Sequence, residues 1–400
     1  MNDEFLHRSS PQVSFTTAFR KFIVHRSALI RLYMIITAIF ILCCSFALSL
    51  LGTVAVRALA PRIGLVDRPA ARKLHTRPMP LGGGLAIFFS VTTVVLAGAV
   101  LLPAIDGRIT WLPDVVSRNI DLMAKKLPTL LLIVGGGVVV TLMGLIDDFR
   151  GLGAWARLAV EAAVAVLLFV VSPELRITAF TPGGVMPFIY TVLWITAITN
   201  AFNLLDNMDG LSSGVACVAS IIFLIVAVQT GQLFVAAMLL ALIGAILGFL
   251  VFNFPPASIF MGDCGALFIG YTISVLTVVF TFYEPSPGKS AWLSMLLPMV
   301  ILAVPLFDTL SVIAIRLRNR QPIFKADKNH FSHRLVGLGM THRQAVLTIY
   351  LATFCTGIGA TFWHRVSDAG SIVIFAQAAA IIGLIVILEI TANRIARNQS

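Results

Sequence analysis

Carboxylates and side-chain amides gather in this chain at a few short polar stretches. Asp147 and Asp148 stand side by side in DDFRGLG, and Asn200, Asn203, Asp206 and Asp209 recur every three residues through NAFNLLDNMDG. Asp263 follows a Pro-Pro turn in NFPPASIFMGDCG, between Gly262 and Gly265. Adjacent helical residues point about 100° apart, so Asp147 and Asp148 are expected to divide their labour rather than share one ligand. The three-residue repeat lines its side chains along one helical face, offering amide and carboxylate oxygens to a hard cation and to the donor edge of a base such as uracil. The blander reading of each cluster is a polar helix end: Asn and Asp favour turns, and Asp263 alone would pass for an N-cap.

Two further stretches carry cations. Arg72, Lys73, His75 and Arg77 precede Gly82, Gly83 and Gly84, which allow a close backbone approach, although the same charges would serve membrane topology alone. Lys325, Lys328, His330, His333, Arg334 and His342 make up the last group. The spacing of His330 and His333 suits zinc, but no Cys or third ligand accompanies them. Phosphate contact or acid/base work fits the cationic neighbours better.

All five stretches interrupt a chain that is 58% hydrophobic and 12% charged, with a mean hydropathy of +0.96. That balance belongs to a polytopic membrane protein. Apolar runs long enough to span a hydrocarbon core occur near 33–58, 83–103, 128–146, 155–172, 186–203, 211–230, 232–252, 265–283, 291–315, 343–363 and 370–390. The expectation is an all-α fold of about 11 transmembrane helices, with the five stretches on one face. Residues 1–30 form a basic extension, 31–393 a single catalytic domain and 394–400 a tail. The motif face with its helix ends and the C-terminus carries 17 Lys and Arg against 12 opposite, five of these in the extension (Arg8, Arg20, Lys21, Arg26, Arg31). The positive-inside rule then places the motif face in the cytoplasm, although a basic N-terminus on the far side argues the other way. Residues 1–30 lack an apolar core of signal-peptide type, so the first long run reads as a retained helix. The net charge of +11 lies in short interhelical loops without interleaved aromatics, which excludes a nucleic-acid platform and suits lipid headgroups and a phosphorylated substrate. The five cysteines form no disulfide framework or CxxC site.

Hard-cation ligands, phosphate-binding cations and a lipid boundary together suit phosphoryl transfer between a soluble nucleotide and a lipid phosphate, two anions whose encounter a divalent ion would ease. The stretches GLVDRPAARKLH with PLGGG, GLIDDF, NAFNLLDNMDGL, NFPPASIFMGD, PLFDTL and HFSHRL resemble, in order, those of the polyprenyl-phosphate N-acetylhexosamine-1-phosphate transferases (glycosyltransferase family 4), over roughly residues 62–345. The resemblance implies ten or eleven helices in the plasma (inner) membrane, Mg²⁺ with Mn²⁺ as the alternative ion, a UDP-sugar donor, a polyprenyl-phosphate acceptor and a homodimer. It further implies that Asp147 and Asp148 bind or deprotonate the lipid phosphate and that Asp263 and Asn203 hold the metal. Asp206 and Asp209 would line the uridine pocket, and His330, His333 and Arg334 would hold or act on the donor's sugar and phosphates. Lys73 and His75 would contact substrate, as would Arg157, which stands where many relatives have a phosphate-binding Lys. Asn207 departs from a usual Gly, and Ser332 from a usual His. The RKLHTRPMPLGGG loop is similar to the branch using UDP-GlcNAc, with undecaprenyl phosphate as acceptor, rather than the phospho-MurNAc-pentapeptide branch. The product would begin a cell-surface polysaccharide. The competing class is a transporter or flippase, for which acids such as Glu161 and Asp308 would stand mid-span within an inverted repeat; no such repeat is visible, and the acids cluster at helix ends.

Overall fold

A computed structural model describes residues 11–68, 78–105, 124–178, 183–281, 290, 293, 295–322 and 329–399. The fold is an all-α bundle of a multi-pass membrane protein. In chain order its helices are α1 (Pro11–Leu59), α2 (Gly83–Ile105), α3 (Leu127–Arg150), α4 (Ala154–Val171), α5 (Met186–Leu205), α6 (Leu211–Gln229) and α7 (Leu233–Asn253), followed by α8 (Asp263–Thr281), α9 (Leu296–Ile301), α10 (Ala303–Arg318), α11 (Phe331–Gly337), α12 (His342–Gly357) and α13 (Asp368–Gln399). Between α1 and α2 lies a two-stranded antiparallel ribbon, β1 (Val66–Asp67) and β2 (Met79–Pro80), with Val66 opposite Pro80.

Among the described residues, nine helices are long and apolar enough to cross a membrane. They match nine of the eleven apolar runs. The run at 265–283 is α8, whose apolar part is shorter. The run at 291–315 is two helices, α9 and α10, broken at Leu302. Pro305 explains the break: it has no N–H for the carbonyl four residues back, and its ring crowds that turn. The helix α1 begins at Pro11, so the basic extension from there runs directly into the first span.

In lipid there is no hydrophobic drive between helices, so small residues and interhelical hydrogen bonds set the packing. Along the α1–α7 seam, Ser45 Oγ donates to Ala241 O and Ser49 Oγ to Ala245 O, both at 2.6 Å. A Cβ at Gly244 or Gly248 would fall 2.4 Å from Leu42 O or 2.5 Å from Phe46 O. Helices α6, α7 and α8 are the most enclosed, whereas α1 and α13 present Leu51, Phe40, Ile387 and Leu388 outward, as lipid-facing helices do.

The same close packing builds the motif end. Gly84 opens α2 where an added Cβ would lie 2.1 Å from Gly265 Cα, and one at Gly144 of α3 would lie 2.6 Å from Cys264 Cα. Both α2 and α3 therefore touch the first turn of α8 backbone to backbone. Extended pairing completes the junction: Phe260 N donates to Pro80 O at 2.9 Å, Gly83 N to Phe260 O at 3.0 Å and Gly84 N to Met261 O at 2.9 Å.

Candidate active site

The last turn of α3 delivers Asp147 and Asp148 to the first turn of α8, and the two side chains part company there. Asp148 turns to the helix end: its Oδ1 accepts from Asp263 N at 2.8 Å and its Oδ2 from Cys264 N at 3.2 Å. Both orphan N–H groups are thus satisfied by a carboxylate from another helix, at the end where the helix dipole favours negative charge. Gly262, at φ +78°, makes this possible, because a Cβ there would sit 2.6 Å from Asp148 Oδ2. Asp147 turns the other way. Its Oδ1 accepts from Leu152 N in the turn after α3, and its Oδ2 from Arg157 Nη1 at 2.6 Å.

Arg157, one turn into α4, ties the cluster together, since the same Nη1 reaches Asp263 Oδ2 at 3.2 Å. The other oxygen of Asp263 accepts from Asn203 Nδ2 at 2.7 Å, which leaves the amide oxygen of Asn203 for another partner. One turn earlier, Asn200 Nδ2 donates to buried Glu161 of α4. Within α5 the first two members of the repeat share a side, with Asn200 and Asn203 looking toward α4 and α8.

Asp206 closes α5, and its carboxylate has no hydrogen bond among the described residues. Burial, together with the negative charges of Asp263, Asp148 and Asp209, holds its carboxyl well above the usual carboxylate range. Asp147 and Asp263 thus share one guanidinium, with Asp148 and Asp206 beside them. Such an excess of hard oxygen donors is the chemistry of a site for a hard divalent cation. Among the described residues no three His, Cys, Asp or Glu side chains form a ready metal cage.

The remaining predicted residues lie in two adjoining clusters. Asp209 Oδ2 accepts from Ala257 N at 2.9 Å, and Asn253 Oδ1 accepts from Gly210 N at 3.0 Å, so these side chains fasten the NMDG turn to the loop after α7. His330 Nδ1 lies 2.9 Å from Asp308 Oδ2, and Phe331 N donates to Asp308 Oδ1 at 2.6 Å. Asp308, conspicuous in the sequence as an acid within an apolar run, thus supports the histidine loop from α10. With Nδ1–H engaged by Asp308, the Nε2 atom of His330 is the one left for chemistry. The His333 ring stands 6.3 Å from that of His330. Arg334 is bound within the protein, to Glu389, Ser311 and Asn329 O. Ser332 Oγ donates to Asn207 Oδ1, and Asn207 Nδ2 to Leu204 O at 2.9 Å. The two departures from the family pattern therefore touch each other and join the histidine loop to the end of α5. Lys73, His75, Lys325 and Lys328 lie outside the described residues.

Comparison with known proteins decides the lineage. The glycosyl transferase family 4 model matches residues 130–281, the stretch that holds Asp147, Asp148, Arg157, Asn203, Asp206 and Asp263. The chain is 36% identical to the probable undecaprenyl-phosphate N-acetylglucosaminyl 1-phosphate transferase of Bacillus subtilis, over 84% of this chain and 90% of that one.

The chain belongs to glycosyl transferase family 4.

Other relatives are similar to it over most of their length. The decaprenyl-phosphate N-acetylglucosaminephosphotransferase of Mycolicibacterium smegmatis is 31% identical over 76% of this chain and 77% of its own. The undecaprenyl-phosphate alpha-N-acetylglucosaminyl 1-phosphate transferase of Escherichia coli K12 is 27% identical over 80% and 83%. The family model ends at 281, so Asp308, His330, Arg334 and Glu389 stand beyond it. Sequence reasoning passed over Glu389 and the pairing of Asn207 with Ser332. A lone Glu near the end of an apolar run carries little signal, and a contact between residues 125 apart in sequence carries none.

Proposed function

We propose that this protein transfers GlcNAc-1-phosphate from UDP-GlcNAc to a polyprenyl phosphate such as undecaprenyl phosphate, giving the polyprenyl-pyrophosphoryl sugar and UMP. The observation that carries the reading is the Asp147–Arg157–Asp263–Asn203 constellation at the motif end of the bundle, within a family whose members named above carry such activities. A phosphate oxygen of the lipid attacks the β-phosphorus of the donor. The bond from that phosphorus to the bridging oxygen breaks, and UMP leaves with the oxygen.

The chain's own side chains supply placement and charge. Asp147, held by Arg157 and Leu152 N, faces the incoming lipid phosphate and takes its proton where it arrives protonated. Arg157 is the cation to which a substrate phosphate is drawn. Asp148 keeps the α8 terminus, and with it Asp263, in position. Asp263 and the amide oxygen of Asn203 would hold Mg²⁺ or Mn²⁺, which when bound neutralises the pyrophosphate and stabilises charge on the transferring group. His330, steadied by Asp308, presents Nε2 toward the donor's sugar and phosphates.

The basic excess of the motif face supports a cytoplasmic site in the plasma membrane.

Purified protein given undecaprenyl phosphate, Mg²⁺ and a panel of UDP-sugars is expected to release UMP and form a lipid-linked pyrophosphoryl sugar with UDP-GlcNAc. Product with UDP-MurNAc-pentapeptide in its place would move the chain to the peptidoglycan branch. Vesicle uptake of labelled sugar nucleotide without UMP would make it a transporter.

A further inference from the structure

We propose that Glu389, on the C-terminal helix, is a positioning residue for this reaction, setting the histidine loop through Arg334. The proposal rests on the transferase reading for its kinetic consequences, but not for its structural ones.

A carboxylate within a span long and apolar enough to cross a membrane, Asp368–Thr391, is costly unless it has a partner. Ile387, Leu388 and Ile390 turn outward, at 62%, 59% and 49% exposure, whereas Glu389 turns inward at 8%. Its two oxygens accept from Arg334 Nε at 3.1 and 3.2 Å. Every nitrogen of Arg334 is then engaged. Nη1 and Nη2 each reach Ser311 Oγ at 3.2 Å, Nη1 also donates to Asn329 O, and the guanidinium lies over Phe307 and Phe331, 5.8 and 5.9 Å from the ring centres. An arginine so committed fixes the carbonyl just before His330. Asp308 holds the ring of His330, while Glu389 and Arg334 hold the backbone that leads into it. Without the carboxylate, a half-buried guanidinium loses its charge partner, and the turn at Asn329 loses its anchor to the bundle.

The test uses full-length Glu389→Ala and Glu389→Gln in detergent, with three readouts: thermal midpoint, kcat and KM for each substrate, and the rate at which diethyl pyrocarbonate modifies His330, followed by peptide mass spectrometry. For Glu389→Ala the expected result is a KM for UDP-GlcNAc raised at least about fivefold, an unchanged KM for undecaprenyl phosphate and faster modification of His330. Glu389→Gln, which keeps an acceptor and loses the charge, should fall between, and it decides the matter if the Ala variant does not fold. A merely structural role would lower the active fraction, scaling kcat and leaving both KM values alone; an unchanged donor KM overturns the proposal. If the wild type shows no turnover with UDP-GlcNAc, the transferase reading fails instead. The His330 modification rate then decides, and the same rate in wild type and both variants overturns the role of Glu389.

Discussion

Asp147 and Asp148 show how little a motif says about the work of its members. Neighbours in sequence, they serve different ends: one carboxylate pairs with Arg157, and the other satisfies the N-terminus of α8. Their isosteric variants should therefore fail differently. Asp148→Asn keeps one acceptor but loses the charge facing a helix end, a change worth about 1 kcal/mol or more at a partly buried cap. It is expected to lower the thermal midpoint together with activity. Asp147→Asn leaves Arg157 paired with Asp263, so the midpoint should hold while turnover falls by at least about a hundredfold. Equal, mild losses in a paired measurement of melting and product formation would contradict this division. The sequence foretold that the two would diverge from the 100° helical step. It did not reveal which does what, because the partner of Asp148 lies 115 residues away on another helix.

Helices reach this arrangement through glycine. At Gly144 and Gly84 the backbones of α3 and α2 meet the first turn of α8 with no room for a methyl group. Gly144→Ala should push α3 from α8, drawing Asp148 off the N–H groups it caps, with an overpacking cost of about 1–3 kcal/mol. Gly135, on the same helix, has nothing within 4 Å of an added Cβ, and Gly135→Ala should be neutral or stabilising by up to about 1 kcal/mol from helix propensity. Thermal unfolding of the two variants separates them; equal midpoints would mean that the close approach does not set the site. Element existence was legible because a span of about 20 apolar residues is an unambiguous signal. The break at Leu302 had its cause in plain view at Pro305, but a hydropathy window averages over it. The tie of α13 to the histidine loop was not legible, since Glu389 and Arg334 gain meaning only as a pair.

At the scale of the molecule, the loops converge because the bundle brings one end of α2, α3, α4, α5, α8 and α10 to the same membrane edge. That convergence, an oxygen-rich cluster around Arg157, was the most legible feature among the described residues, since the polar stretches that build it each broke an apolar chain. The proposed reaction moves a phosphorus centre from a nucleotide to a lipid.

The most direct test follows that phosphorus. UDP-GlcNAc labelled with ³²P at the β-position is incubated with purified protein, Mg²⁺ and undecaprenyl phosphate, and the organic and aqueous phases are separated. The account predicts that label and sugar move together into the lipid phase, that the released UMP is unlabelled, and that Asp263→Ala abolishes the transfer. Label remaining in water-soluble UDP while sugar enters the lipid phase would mean that the sugar alone is moved, and no label in lipid from folded, active-pure protein would contradict the central claim outright.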